Sequence, residues 1–140
     1  MTDSVLTARR VVGLVAAFGL AIIAAFQLAL ALGVPWGRAA YGGGSATLEP
    51  GLRVASGVAT VVWLLAAAVV LGRAGYWGSA RRSGFFPWGT WVVAVLLTLG
   101  AVVNFASSSP WERFGWGPLA LLVAILCVVL ARSRASVPSI

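Results

Sequence analysis

Four stretches of the chain run for about the length of a membrane-spanning helix without a charged side chain. They cover residues 11–33, 54–72, 87–106 and 114–131. Because an α-helix rises about 1.5 Å per residue, each stretch is near the length that crosses about 30 Å of hydrocarbon. Hydrophobic residues make up 61% of the chain and charged residues only 9%, which is atypical of a soluble domain. The sequence therefore predicts an all-α fold, in which residues 1–140 form one membrane-embedded four-helix bundle.

The start of the fourth stretch is rich in residues that disfavour helix. Gly115, Gly117 and Pro118 lie there, and a helix beginning only at Pro118 would be short for a full crossing. Proline is nevertheless compatible with a first helical turn, and Pro87 is expected to open the third helix in this way. The first stretch has some features of a cleaved signal peptide, but its apolar core is too long for one. It is therefore predicted to be a retained helix.

The distribution of arginine predicts the orientation of the helices. All ten basic residues are arginines, and seven of them fall on one side of the predicted bundle: Arg9, Arg10, Arg73, Arg81, Arg82, Arg132 and Arg134. The other side has Arg38, Arg53 and Arg113, together with Glu49 and Glu112. Because the cytoplasmic ends of membrane proteins collect Arg and Lys, the seven-arginine side and both termini are predicted to be cytoplasmic. Orientation then explains the net charge of +7 without a nucleic-acid partner.

Composition and aromatic residues complete the predicted location. Arginine without lysine, with abundant alanine, glycine and valine, indicates a GC-rich bacterial source. The chain is therefore predicted to be a multi-pass protein of the plasma membrane, the bacterial inner membrane. Aromatic residues typical of an interfacial belt lie at the predicted outer edge, where they are Trp36, Tyr41, Trp111 and Trp116.

Small residues recur every four positions in the first helix. They are Gly13, Ala17, Ala21, Ala25, Ala29 and Gly33. Such a row lets a neighbouring backbone approach closely, and in a membrane this close packing drives helix association. The first helix is therefore predicted to be packed centrally. The second helix has a weaker version of the row, formed by Ser56, Thr60, Ala68 and Gly72 and interrupted by Leu64.

Both predicted outer loops contain the sequence Pro-Trp-x-Arg, at residues 35–38 and 110–113. Each follows a helix with an amide side chain near its outer end, Gln27 or Asn104, which suggests a two-plus-two internal repeat. Alternatively, Pro-Trp at a helix exit is simply a stop and an anchor. Glycines 42–44 in the first loop predict an irregular backbone that allows close approach. They do not form a phosphate loop, and a flexible external connection is the simpler interpretation.

Five motifs lie mostly on the predicted outer side: Gly33-x-Pro35-Trp36-Gly37, Ala40-Tyr41-Gly42-Gly43, Leu48-x-Pro50-x-Leu52-Arg53-x-x-Ser56, Arg73-Ala74-Gly75 and Asn104-x-x-Ser107-x-Ser109-x-x-Glu112-Arg113-x-x-Trp116-x-Pro118. This combination resembles a family of small bacterial four-helix membrane proteins without an assigned function. The last motif is the most specific one, and together they span most of the chain. The resemblance implies the four-helix membrane fold and marks these residues, but it implies no activity.

Polar residues at the outer ends of the helices form the candidate site. Arg53, Asn104, Glu112 and Arg113 flank these ends, and Gln27 lies below them, where Ser56 and Thr60 are also candidates to line a cavity. Polar groups in hydrocarbon are costly unless they face the protein interior, so both amides are predicted to face inward. Interhelical hydrogen bonds, worth about 0.6 kcal/mol each, are an alternative role for the amides. Ion pairs of Glu112 with Arg113 and of Glu49 with Arg53 are an alternative for the charges.

Trp63 falls at the centre of the second helix, where its indole N–H has no water to bind. It needs a partner such as Gln27, a backbone carbonyl or a bound molecule, although a packed core tryptophan is the default interpretation. The predicted ligand-binding residues are therefore Gln27, Arg53, Trp63, Asn104, Glu112 and Arg113.

The residues that are missing exclude several chemistries. The chain has no histidine, a single cysteine and no acidic residue in any apolar stretch. This excludes a metal cluster, a thiol redox pair and a membrane-embedded proton-coupling carboxylate, so no cofactor and no catalytic residue are predicted. Small multidrug exporters and quinone-reducing four-helix enzymes are therefore poor matches. Cys127 is expected to be a small buried hydrophobe, and Glu49 with Glu112 gives only weak support for a hydrolase.

Three functions remain open. The favoured one is a non-enzymatic binding or accessory protein, whose outward-facing polar site takes a lipid, a small apolar ligand or a membrane partner. The second is an oligomeric transporter or channel for small solutes. The third is a lipid-modifying enzyme that uses Glu112 and Arg113. The expected partners are membrane lipids and either further copies of the chain or a larger membrane complex, but no nucleic acid.

Overall fold

Four α-helices make up most of the computed structural model, which describes residues 2–78 and 84–133. They are α1 (Thr2–Ala31), α2 (Pro50–Ala74), α3 (Phe85–Ala106) and α4 (Gly117–Arg132), and these described residues contain no strand. Short 3-10 turns, Gly37–Ala39 and Tyr41–Gly43, lie between α1 and α2. The all-α prediction is confirmed, and all four helices are long and apolar enough to cross a membrane.

All four helix starts differ from the sequence prediction, since α2 begins at Pro50 and α3 at Phe85, two residues before Pro87. The first and fourth starts are the most informative. The first helix begins at Thr2 instead of residue 11. Its first turns are polar, so the length of the apolar stretch does not reveal them. Asp3 in the first turn is favourable there, since a carboxylate stabilises the positive end of a helix dipole. The fourth helix is preceded by a π-helical turn, Glu112–Trp116, and the two together form a helical span of 21 residues, enough for a crossing. Pro118 lies in the first turn of α4, as predicted.

The helices form two antiparallel hairpins. The α1–α2 and α3–α4 pairs pack most extensively, and the hairpins meet where α1 contacts α4 and α2 contacts α3. The prediction that the first helix packs centrally is confirmed only in part, because α1 is as buried as any of the four helices but packs mainly against two neighbours, α2 and α4. Its predicted small-residue row is also divided, since Ala17 is buried whereas Ala21 and Ala25 are exposed. Positions four apart advance about 40° around a helix with 3.6 residues per turn, so such a row leaves the packed face within two turns.

The two ends of the bundle have different connections. We define the loop end as the end of the bundle that carries the connections 32–49 and 107–116, and the terminal end as the end that carries residues 2–10, 73–78 and 131–133. Pro-Trp-x-Arg occurs twice at the loop end, but the first copy leads into 3-10 turns and the second into the π-helical turn. The two loops are therefore not copies of one structure. Arg81, Arg82 and Arg134 lie outside the described residues.

The core is filled by fully buried side chains from all four helices. Leu30 is fully buried in a separate cluster with Ala40 and Leu48 near the loop end. The largest buried side chains of the main cluster are Leu20, Val70, Leu97, Val123 and Leu130, each at most 2% exposed. Cys127 lies among them with no exposed surface, as expected for a small buried hydrophobe. These side chains pack the bundle between its middle and its terminal end.

Two arginines are buried at the terminal end. Arg9 and Arg73 are only 5% and 6% exposed. The guanidinium of Arg9 donates to the backbone carbonyl of Arg73, near the last turn of α2. Arg73 in turn donates to the carbonyls of Ala131, at 3.1 Å, and Ser133, which lie at the end of α4. Because helix C-termini have unpaired carbonyls and a negative dipole end, these arginines join the ends of three helices.

The motif Arg73-Ala74-Gly75 completes this end. Gly75 has a φ of 101°, a left-handed conformation that terminates α2 and that favours glycine. Ala74 lies directly against Gly13 of α1, where an added Cβ would be only 2.3 Å from the Cβ of Ala74. The first helix and α2 therefore come close together at a pair of small residues.

Candidate functional site

A cavity of about 740 Å³ lies at the loop end, between α1 and α3. Its walls are mainly apolar and include Ile23, Phe26, Leu97, Val103, Trp116 and Ala120. The polar residues that line it are Gln27, Tyr41, Trp63, Asn104, Ser107, Ser108 and Glu112. A volume in the range of about 300–1,000 Å³ and a few polar groups in an apolar wall are typical of small-molecule sites.

Hydrogen bonds hold the α1–α2 loop and the α3–α4 loop together beside the cavity. The backbone N–H of Gly42 donates to the carboxylate of Glu112 at 2.8 Å, and the hydroxyl of Ser107 donates to the same oxygen. Ser109, which is buried, donates from its hydroxyl to the carbonyl of Arg38 at 2.7 Å. These contacts explain the spacing Ser107-x-Ser109-x-x-Glu112, because each residue joins the α3–α4 loop to itself or to the α1–α2 loop.

The glycine run, residues 42–44, belongs to these two hydrogen-bonded loops, which we call the cap. Tyr41 has a φ of 50°, and Gly42 and Gly43 continue with φ values of 82° and 76°. A non-glycine residue in this region is strained, and here the Tyr41 hydroxyl is held 2.9 Å from the hydroxyl of Ser56 on α2. An added Cβ at Gly43 would be 3.0 Å from the carbonyl oxygen of Arg38. The predicted irregular, close-approaching backbone is therefore confirmed, and it is fixed to α2.

The amide of Gln27 is the most unusual polar group of the cavity. Its side-chain oxygen is buried and accepts no hydrogen bond from the described residues. A buried acceptor without a donor costs about 1–3 kcal/mol, so a donor from a water molecule or a ligand would stabilise it. Gln27 therefore offers an acceptor to any molecule that occupies the cavity.

Asn104 and Trp63 face the same cavity from two other helices. The Asn104 amide donates at 2.9 Å to the carbonyl of Gly100, one turn earlier in α3. Its oxygen has no partner in the part of the chain that the structure describes, and neither has the indole N–H of Trp63. The predicted interhelical hydrogen bonds of the two amides are thus absent among the described residues. Gln27, Asn104 and Trp63 thus each bring to the cavity lining a polar atom that has no partner among the described residues.

The cavity extends to the side of the bundle. Leu99 and Val103 of α3 line it, yet they are 58% and 69% exposed. The closest glycine contacts between α2 and α3 lie toward the terminal end, where Gly89 approaches Val69 and Gly72 approaches Phe86. The two hairpins therefore separate toward the loop end on their α2–α3 side. The site was predicted to open outward, and the exposed residues that line this cavity lie both on α3, as Leu99 and Val103 do, and in the loops, as Tyr41, Gly42 and Ser108 do.

No family model, curated protein or solved structure matches this chain. The resemblance of its motifs to a family of small four-helix membrane proteins therefore stays a prediction.

The structure brings four of the six predicted site residues together. Gln27, Trp63, Asn104 and Glu112 all line the cavity. Arg53 lies outside it and donates at 3.1 Å to the carbonyl of Ala31, at the end of α1.

Arg113, the sixth predicted residue, is exposed and also lies outside the cavity lining. It donates to the carbonyl of Ser107 at 2.9 Å. Neither ion pair proposed from the sequence forms, because within the described residues Glu112 binds Gly42 and Ser107. Ser56 and Thr60 are buried beside the cap and do not line the cavity. Thr60 donates to the carbonyl of Ser56 at 2.8 Å.

Several lining residues escaped the sequence prediction. Phe26 and Trp116 form an aromatic contact with ring centroids 4.3 Å apart, which closes the α1–α4 side of the cavity. Gly100 lies in its wall, where an added Cβ would meet no atom within 4 Å. An isolated glycine in an apolar helix is a signal of close approach or of open space, but the sequence does not distinguish these two.

The two loop-end carboxylates are not arranged as a catalytic pair. Glu112 lines the main cavity, whereas Glu49 lines a separate small cleft with Tyr41 and Leu52. Within the described residues, no group of three His, Cys, Asp or Glu side chains could hold a metal ion.

Proposed function

We propose that this chain is a multi-pass membrane protein that binds a small amphiphile in the cavity between α1 and α3. The ligand has an apolar body and at least one hydrogen-bond donor, and it enters laterally from the bilayer. The protein acts as a binding or accessory protein and not as an enzyme. Gln27, Trp63 and Asn104 contact the polar group of the ligand.

The exposed surface of the helices supports the membrane location. Large apolar side chains that are more than half exposed occur on all four helices, and they include Phe18, Val54, Val95 and Leu122. Soluble monomers rarely expose apolar area on this scale, whereas lipid-facing helices require it. Four crossings place both termini on one side, and the arginine distribution supports a cytoplasmic location for that side.

The buried oxygen of Gln27 is the observation that carries the proposal. Polar groups are costly at membrane depth unless they are satisfied, and this buried oxygen, on a residue that lines the cavity, has no donor among the described residues. A hydroxyl or amine donor on the ligand would satisfy it. The free indole N–H of Trp63 would complement an acceptor on the same ligand, so the site favours a molecule with both kinds of group.

The packed half of the bundle supports ligand binding, and not passage of a solute through a single chain, as the function. Leu20, Val123 and Leu130 are fully buried between the cavity and the terminal end. A water-filled path through the chain would require these side chains to separate. A ligand in the cavity requires no such change, since the space already exists.

Filling the cavity at Gly100 tests the proposal. A Gly100→Leu variant is expected to stay folded, because a side chain there enters open space. The matched control is Gly51→Leu, since Gly51 also has no atom within 4 Å of an added Cβ and does not line the cavity. Native mass spectrometry of protein extracted from its own membranes is expected to show a bound small molecule.

The adduct should be retained by Gly51→Leu and reduced at least about tenfold by Gly100→Leu. A Gln27→Leu variant should weaken it without filling the space. Absence of an adduct from the unmodified protein, or full retention of the adduct by Gly100→Leu, would contradict binding in this cavity.

A further inference from the structure

A second apolar depression, the aromatic groove, lies on the α1–α4 side of the loop end. It has a volume of about 610 Å³ and is lined by Phe26, Pro35, Trp36, Arg38, Ala39, Trp111, Gly115, Trp116 and Leu119. Three tryptophans contribute to it, and Trp36 and Trp111 are 53% and 66% exposed. Both Pro-Trp-x-Arg motifs therefore meet at this groove, which is separate from the cavity between α1 and α3.

A stack of aromatic rings divides the groove from the cavity. The ring of Phe26 lies parallel to that of Trp36, with centroids 6.4 Å apart, and contacts that of Trp116 at 4.3 Å. Phe26 and Trp116 line both spaces. A molecule in the groove therefore contacts the outer side of this stack without entering the cavity.

Arg38 gives the groove its charge. It is the only charged residue among those that line the groove in the described part of the chain. Arg53 and Arg113, the other arginines at this end, donate to backbone carbonyls, whereas the Arg38 guanidinium has no partner among the described residues. The backbone of Arg38 is held in place, because its carbonyl accepts a hydrogen bond from Ser109. One unpaired cation thus stands beside an apolar surface.

We infer that the aromatic groove binds an anionic phospholipid. Its phosphate pairs with Arg38, and one acyl chain lies along Trp36, Trp111 and Leu119. Arginine is well suited to phosphate because its planar guanidinium donates two parallel hydrogen bonds. Exposed tryptophans are typical of the level where lipid headgroups meet hydrocarbon, so the apolar part of the groove continues directly into the acyl region. A zwitterionic lipid has no net charge, so it neutralises the charge of the Arg38 guanidinium less completely.

Photo-crosslinking in nanodiscs tests this inference. The probe is phosphatidylglycerol with a diazirine on one acyl chain, and phosphatidylcholine with the same chain is the comparison. The labelled peptides are identified by mass spectrometry. We expect labelling at Trp36, Trp111 or Leu119, at least about fivefold stronger with the phosphatidylglycerol probe, since one arginine near a membrane surface contributes about this factor.

Two variants separate the charge from the apolar surface. Arg38→Gln should remove the headgroup preference, whereas Arg132→Gln, which changes an exposed arginine at the terminal end, should retain it. Gly115→Leu should suppress labelling by both probes, because its added side chain meets no atom within 4 Å and fills the groove. Gly51→Leu is the matched control for that change.

The outcomes are distinct from those of the cavity experiment. Gly100→Leu should leave groove labelling unchanged, so either site can fail while the other stands. Equal labelling by the two probes, labelling that persists in Gly115→Leu, or adducts only outside the groove would overturn the inference. So would a groove-to-groove protein crosslink that excludes lipid, because it would identify a second copy as the occupant.

Discussion

The two ends of the bundle are closed in similar ways but are filled differently. At the terminal end Arg73 donates to the carbonyl of Ala131, and at the loop end Arg53 donates to the carbonyl of Ala31. Each arginine therefore joins a neighbouring helix at its C-terminal end. Leu130 and its neighbours are packed without exposure toward the terminal end, whereas the loop end encloses about 740 Å³.

This difference means that the cavity does not result from weak connection of the helices. The loop end has its own hydrogen bonds, between Glu112 and Gly42 and between Ser109 and Arg38. It keeps an open interior because the hairpins separate on the α2–α3 side while Phe26 and Trp116 hold the α1–α4 side together. A site for a ligand can thus be maintained by loops and one aromatic contact.

Truncating a large side chain at the packed end should have the largest effect on stability. Leu130→Ala is expected to lower the free energy of unfolding by about 3 kcal/mol, because it leaves a void among fully buried neighbours. Leu99→Ala at the rim of the cavity should cost less than about 0.5 kcal/mol, as expected for an exposed position. Unfolding in mixed detergent micelles measures both. Equal losses would remove the contrast between packed and open ends.

Arg73→Gln should have the next largest effect and lower the free energy of unfolding by about 2 kcal/mol. The substitution removes charge-assisted hydrogen bonds to the carbonyls of Ala131 and Ser133 at a site that is only 6% exposed. Arg132→Gln is the control, because Arg132 is exposed at the same end. The same unfolding assay compares them, and indistinguishable stabilities would mean that the buried arginine does not join the helix ends.

Glu112→Ala is expected to lower the free energy of unfolding by about 1–2 kcal/mol, since Glu112 joins the two loops through a partly exposed carboxylate. Hydrogen exchange provides a local test, because the amide of Gly42 loses its acceptor and should exchange faster. Glu49→Ala is the control, as Glu49 is exposed and its side chain makes no cap hydrogen bond to α2. Unchanged protection of Gly42 would contradict the role of Glu112 in the cap.

The smallest expected effect is a gain. Gly100→Ala should stabilise the protein by about 0.5–1 kcal/mol, because alanine is the better helix former and its Cβ enters open space. Gly13→Ala should have the opposite sign, since its Cβ would collide with that of Ala74. A loss of stability in Gly100→Ala would show that the loop-end interior is already filled by protein.

The four helices are predictable from the sequence because an apolar run of membrane length, free of charge, is rare in any structure except a membrane-spanning helix. The polar start of α1 and the burial of Arg9 and Arg73 are not predictable in this way, since hydropathy treats arginine as a surface residue. Their acceptors are carbonyls on other helices, and no local pattern identifies these. The pairing of Arg73 with Ser133 illustrates this, as the two residues are 60 positions apart.

The candidate site is predicted in part for a related reason. Gln27, Trp63 and Asn104 are noticeable in the sequence because a polar group within an apolar run is costly unless it has a partner. Arg53 and Arg113 belong to the predicted set by their position at helix ends, yet nearby carbonyls satisfy them. The apolar walls result from how far the hairpins separate, which is a property of tertiary packing.

The most direct test is an experimental density map of the protein in lipid, crystallised from a lipidic mesophase or imaged as a complex with a rigid binder. We predict ordered non-protein density in the cavity between α1 and α3, within hydrogen-bonding distance of the Gln27 side-chain oxygen. A Gly100→Leu map should lack that density while the helices keep their positions. An empty cavity in the unmodified protein, or side chains that have collapsed to fill it, would contradict the binding of an amphiphile there.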